Sequence, residues 1–224
     1  MLRKVQQGIW EVAEDQRILG SNLGVRANII KTNDGLVIHS PIELRDSLKN
    51  DIDSLGIVNG LIAPNLYHHM YVRKYQEAYP DSRLYILPAL LKKRSDLTGA
   101  ISIEDGACYP WSEHLDHFTF IGGRWFQELI FFHRESKTLI LTDFAFNIQD
   151  TESRIGNFLL KIDGSLGRFG QTGMERLLIR DRKALRTAYE RIMAWDFERI
   201  SVAHGEQIED NAKEIFTAGL DPVL

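Results

Sequence analysis

The chain has 224 residues, of which 44% are hydrophobic and 26% charged, enough to bury a sizeable core in one domain spanning 1–224. A formal net charge of -4 excludes a broadly polyanion-binding surface, so nucleic acid is not an expected partner. The lone cysteine, Cys108, excludes an intrachain disulfide framework; no apolar run reaches bilayer length and residues 1–10 lack a signal-type segment, so no membrane is expected and the cytoplasm is the expected compartment.

Residues 7–19 place Ile9-Trp10-Glu11-Val12 and Ile18-Leu19 around polar residues, which predicts a short antiparallel ribbon. Val25–Thr32 and Leu36–His39 flank Asn33-Asp34-Gly35. That turn tolerates positive φ and predicts a hairpin. Pro41 suits the first turn of a helix carrying Leu44, Leu48, Ile52 and Leu55 on one face and stopped by Gly56. A buried strand at 57–63 then ends at Pro64-Asn65, where Asn65 can cap a helix holding His68 and His69 and running to Tyr79-Pro80. Tyr67, Tyr71 and Tyr75 recur every four residues as a packed stripe.

Arg83–Leu87 continues a strand-helix-strand alternation, and 95–116 reads mostly as loop, with Cys108-Tyr109-Pro110-Trp111 as a plug of packed aromatics. Strands at 118–121, 125–133 and 137–142 follow, the last ending in Thr142-Asp143. A carboxylate there, beside Phe144-Ala145-Phe146, needs a partner. The glycine-rich 164–173 lacks phosphate-loop spacing and reads as a mobile connection. Asp181 can cap a long helix through Met193, Arg199–Ala203 is a last strand ending in His204-Gly205, and a short helix closes the chain.

Four strands therefore end in polar, metal-capable groups: His39, then Asn65 with His68 and His69, then Asp143, then His204. Strand ends on one rim of a layered sheet converge in space, and imidazole with carboxylate suits a divalent transition metal, zinc first and iron or manganese behind it.

At these residues the chain resembles the metallo-β-lactamase fold superfamily of metal-dependent hydrolases. Asn28 to Pro41 resembles that superfamily's opening hairpin, with His39-Ser40-Pro41 in place of the usual aspartate-threonine-glycine. Ile62 to His69 resembles the loop usually reading histidine, any, histidine, any, aspartate, histidine; Thr138 to Asp143 resembles the strand delivering the bridging aspartate, and Ile200 to Gly205 the one delivering the last histidine. The Pro64-Asn65, His68-His69 and Thr138 to Asp143 wording is similar to a branch carried as a domain of unknown function. The resemblance implies an α/β, four-layer αββα sandwich.

The departures are as informative. The ligand loop lacks two histidines and the aspartate, either His68 or His69 can stand at its end, and Gly122 to Glu128 holds no third-motif histidine. The resemblance then implies one ion held by His68 or His69, Asp143 and His204, with the carboxylate of Glu128 as a candidate fourth ligand. Such an ion would act through a bound hydroxide on a small-molecule ester, thioester, amide or phosphoester, with Asp143 and His39 at the reaction and His39 or the spare histidine as proton shuttle. The competing expectation is a fold member without metal that serves as a binding or scaffold protein. Convergence of His68, His69, Asp143 and His204 to about 4 Å favours the first; an arginine on Asp143 and a backbone carbonyl on His204 favour the second. A redox role needs a flavin or electron donor that the sequence does not supply.

Overall fold

The computed structural model describes residues 1–220. The chain runs β1 (Arg3–Gln6), β2 (Ile9–Glu14), β3 (Arg17–Ile18), β4 (Ser21–Asn22), β5 (Val25–Thr32), β6 (Gly35–His39), α1 (Asp46–Leu55), β7 (Val58–Ala63), α2 (Val72–Ala78), β8 (Arg83–Ile86), α3 (Pro88–Lys93) and β9 (Ile101–Ser102). It continues through β10 (Leu115–Gly123), β11 (Phe126–His133), β12 (Thr138–Leu141), α4 (Arg154–Asp163), α5 (Gly173–Leu178), α6 (Arg182–Met193), β13 (Arg199–Val202) and α7 (Ala212–Leu220).

Seven strands form one sheet in the order β1-β2-β5-β6-β7-β8-β9, antiparallel as far as β6 and parallel beyond it. Four form a second sheet, β10-β11-β12-β13, in which only the β12·β13 pair is parallel. Period-two alternation along β11 explains the stacking. Leu129 and Phe131 pack with the first sheet, whereas Ile130 and Phe132 pack on the opposite face with Leu185 and Ile192 of α6 and Phe216 of α7. With Ile52 of α1, Tyr75 of α2 and Leu90 of α3 in the first sheet's cluster, the layers run helix, sheet, sheet, helix. The expected αββα sandwich is the observed architecture.

The hairpin at Asn33-Asp34 forms as expected, with Thr32 opposite Gly35. Other elements shift. β2 takes β1 and β5 as partners, leaving Ile18 in a separate two-stranded ribbon. Helix α1 starts at Asp46 instead of Pro41, because Ile42 and Leu44 are buried from an extended segment following Ser40 at φ 55°. Residues 66–71 are a turn, so of the tyrosine stripe Tyr75 alone lies within α2 and is buried, while Tyr67 is exposed. Trp111 is fully buried and stacks on Tyr109 at 5.0 Å, the expected plug. The 164–173 stretch is pinned: Phe146 and Gly170 exchange both backbone hydrogen bonds, at 2.9 and 3.0 Å. A side chain at Gly170 would collide with the Gly219 carbonyl.

A candidate metal centre at the strand ends

The rim where β6, β7, β12 and β13 end gathers three donors. His68 Nε2 and His204 Nε2 lie 3.2 Å apart, and each is 3.4 Å from Asp143 Oδ1. Among the described residues this is the one group of three or more metal-capable side chains so placed.

Their surroundings fix their orientation. His204 Nδ1 is 2.6 Å from the Gly24 carbonyl, which can only accept, so Nδ1 carries the proton and Nε2 presents a lone pair. Ser40 Oγ donates to the Arg26 carbonyl at 3.2 Å, leaving its lone pairs to accept from His68 Nδ1 at 2.7 Å. His68 Nε2 therefore also faces inward as a lone pair. Two lone pairs and a carboxylate oxygen at these separations repel one another unless a cation, a proton or a metal ion, sits among them. Metal bonds of ~2.0–2.2 Å in a tetrahedral array put donor atoms roughly 3.3–3.6 Å apart. The observed triangle fits a divalent ion.

Asn65 organises the corner. Its Oδ1 accepts from Tyr67 N at 2.8 Å and His68 N at 2.7 Å, which makes an Asx turn of the residues expected to be helical and lifts His68 toward the rim. Its Nδ2 donates to Asp143 Oδ2 at 2.6 Å and Thr142 Oγ1 at 2.9 Å, so Asp143 keeps Oδ1 for the histidines. Burial works to raise the Asp143 carboxyl, but His68 and His204 outweigh it and hold the group well below the usual range. Among the described residues the ion-pair partners of Asp143 are His68 and His204. Arg26, buried beside Glu11, donates instead to the carbonyls of Val202 at 2.5 Å and Gly205 at 3.2 Å, bracing the turn that carries His204. Gly205 at φ 88° has the Asn147 carbonyl where a Cβ would stand, which explains the His-Gly pair.

The other sequence candidates lie elsewhere. The His69 ring turns to Arg94, whose Nη1 is 2.8 Å from Nδ1. Glu128 is fully buried and spends both oxygens on backbone, accepting from Thr142 N and Asp143 N at 2.7 Å each; it holds the Asp143 turn and does not join the triangle. Burial first, and Asp143 second, push its carboxyl up to about 7. His39 is 1% exposed, neither ring nitrogen has a partner, and it packs edge-on to Phe131 at 5.3 Å. Burial lowers it to about 3, so the ring is neutral at ordinary pH and has no group in contact to exchange a proton with. With His68 at the loop's end, Tyr67 stands at the usual aspartate position and Asn65 at the second histidine.

Sequence reasoning missed Arg26 and Glu175. Glu175 is buried, accepts from Thr172 N at 3.1 Å, and is pushed up to about 7 by burial and, to a smaller degree, by the charge of Asp143. Its one signal, Thr172-Gly173-Met174-Glu175, marks a capping box and not a site.

The layering and this rim define a protein of the metallo-β-lactamase fold. A metallo-β-lactamase from Pontibacter korlensis superposes at TM-score 0.70 with 12% identity over 100% of this chain and 98% of its own. The DIM-1 metallo-β-lactamase gives TM-score 0.64 and 13% identity over 97% and 96%. The Flv1 flavodiiron core from Synechocystis sp. PCC6803 gives 0.69 and 11% over 100% of this chain and 60% of its own. The chain belongs to the family described as Domain of unknown function (DUF4336), whose profile matches residues 6–163. No curated protein matches it.

Proposed function

We propose that the chain is a metal-dependent hydrolase that holds one divalent ion, zinc first, on His68, Asp143 and His204. The single observation that supports this reading most is the triangle of two Nε2 lone pairs and Asp143 Oδ1 at 3.2–3.4 Å, each donor oriented by a hydrogen bond on its far side. Three protein ligands with an open position is the arrangement of catalytic sites. An ion held there would supply Lewis acidity and a water of lowered pKa.

The protein's own groups do the rest. Ser40 and Gly24 keep both imidazoles in the ligating tautomer, and Asn65 occupies the outer oxygen of Asp143 with a hydrogen bond. Glu175, whose carboxyl is pushed up to about 7 chiefly by burial and further by the charge of Asp143, is a carboxyl that would hold a proton more tightly than an exposed one. A cavity of about 660 Å³, within the size range of small-molecule sites, is lined by Tyr67, the residue before His68, but by none of the three donors themselves. Lys92, Lys93 and Arg124 line it with Trp125 and no carboxylate, so the substrate is expected to be a small anionic ester, thioester, amide or phosphoester. The test is metal analysis of chelator-free protein, followed by hydrolysis assays on anionic ester and phosphoester panels. About one equivalent of a transition metal and turnover lost with Asp143→Ala are expected; less than about a tenth of an equivalent rejects the reading.

The scaffold alternative rested on an arginine for Asp143 and a carbonyl for His204. His204 does bond a carbonyl, but through Nδ1, which is the bond that frees Nε2 for a ligand role.

A further inference from the structure

Helix α4 is built inside out. Gly156 is its sole buried residue, and a Cβ there would strike Ser21 Oγ and Thr151 Oγ1, so the helix meets the body through bare backbone. Its inner side is otherwise polar: Asn157 accepts from Thr151 N at 2.8 Å and donates to Asp150 at 2.6 Å, and Ser153 caps the first turn. Ile155, Phe158, Leu159 and Ile162 stand on the other side, at the i, i+3, i+4, i+7 spacing that normally faces a core. Helix α5 starts against the end of α4, where Asp163 accepts from Gly173 N and Arg176, and adds Met174 and Leu177. All six apolar side chains are between 59% and 73% exposed.

At on the order of 100 Å² apiece they present roughly 600–700 Å², above the range of an ordinary monomer's largest patch and close to the ~800 Å² per partner of a standard interface. We propose that this face is covered by a second copy of the chain, α4 against α4 about a two-fold axis between Phe158 and Leu159. An antiparallel pair centred there sets Ile155 on Ile162 of the partner subunit and Phe158 on Leu159 of the partner subunit, so the stripe complements itself. The proposal is independent of the metal reading.

The test is the mass of the full chain by sedimentation equilibrium at micromolar and at roughly 100 μM concentration, above the dissociation constants typical of weak dimers. Twice the chain mass is expected, and Phe158→Glu with Leu159→Glu should halve it while leaving circular dichroism unchanged, since neither side chain reaches the core. Leu19→Glu, a charge on a fully exposed apolar residue elsewhere, should keep the dimer. A wild-type chain that stays monomeric throughout overturns the proposal. So does a double variant that remains dimeric, or wild-type monomers that sediment with phosphatidylcholine–phosphatidylglycerol vesicles.

Discussion

Two neighbouring corners of the same rim use similar side chains in opposite ways. At one, His68, Asp143 and His204 turn donor atoms toward a common point, each fixed from behind. At the other, Asn65 and Glu128 stand 
across a single β-bridge and spend their polar atoms on Tyr67, His68, Thr142 and Asp143. The first corner has capacity left for a ligand; the second has been converted into support for it. That difference explains how a loop short of two histidines and an aspartate still presents one set of three convergent donors.

Removing the ligating corner should have the largest effect. Asp143→Ala takes away the one anionic donor and leaves two lone pairs facing each other, so affinity for zinc should fall by more than about 100-fold, beyond what loss of a supporting group costs. Competition against a chromogenic chelator measures it; an unchanged affinity would place any bound ion elsewhere.

Damage to the supporting corner should appear first in stability. Glu128→Ala strands two buried backbone N–H groups, a loss of about 3 kcal/mol, read as a lower urea midpoint in metal-free protein. An unchanged midpoint would mean that the Asp143 turn needs no brace.

A pH series separates support from charge. The folded state raises Glu175 from 4.5 to about 7, so it binds this proton more tightly than the unfolded chain does. The associated stability is complete below pH ~4.5 and is lost as pH rises toward 7, by up to about 3 kcal/mol for a shift of this size. Glu175→Gln keeps an acceptor for Thr172 and should roughly halve the decline between those pH values, because Glu128 is raised over the same range and keeps its share. A wild-type-like slope would assign the pH dependence to Glu128.

Asn65→Ala should be milder than Asp143→Ala, about 10–100-fold in metal affinity, because Asp143 and His68 lose their alignment and not their donors. Loss of stability with unchanged metal affinity would instead make Asn65 a turn residue only.

Much of this rim was legible in the sequence because it consists of strand ends, and strands announce themselves by apolar runs closed by polar residues. His39, His68, Asp143 and His204 each follow such a run. Which histidine turned inward was not legible. That depends on whether Asn65 caps a helix or an Asx turn, two local structures that use the same side-chain oxygen. Helix α4 was not read from the sequence at all, although Ile155, Phe158, Leu159 and Ile162 stand at core spacing; periodicity could have reported an apolar face there, but not where that face points. Arg26 was missed because its partners are the carbonyls of Val202 and Gly205, far along the chain and without side-chain identity.

The smallest expected effect tests the pair from which the sequence could not choose. His69 follows His68 directly, yet its ring is bonded to Arg94, which itself is held by Asp96. Burial, then Lys93 and Arg94, lower its pKa, so it is an uncharged acceptor for the guanidinium and carries no charge that the centre could feel. His69→Ala should therefore change metal affinity by less than about 3-fold, within the independence expected of groups that share no partner, whereas His68→Ala should approach the Asp143→Ala loss. If the two histidine variants were equally damaging, the Arg94 contact would have to break on metal binding, and the inward corner would be assembled by the ion and not by Asn65 and Ser40.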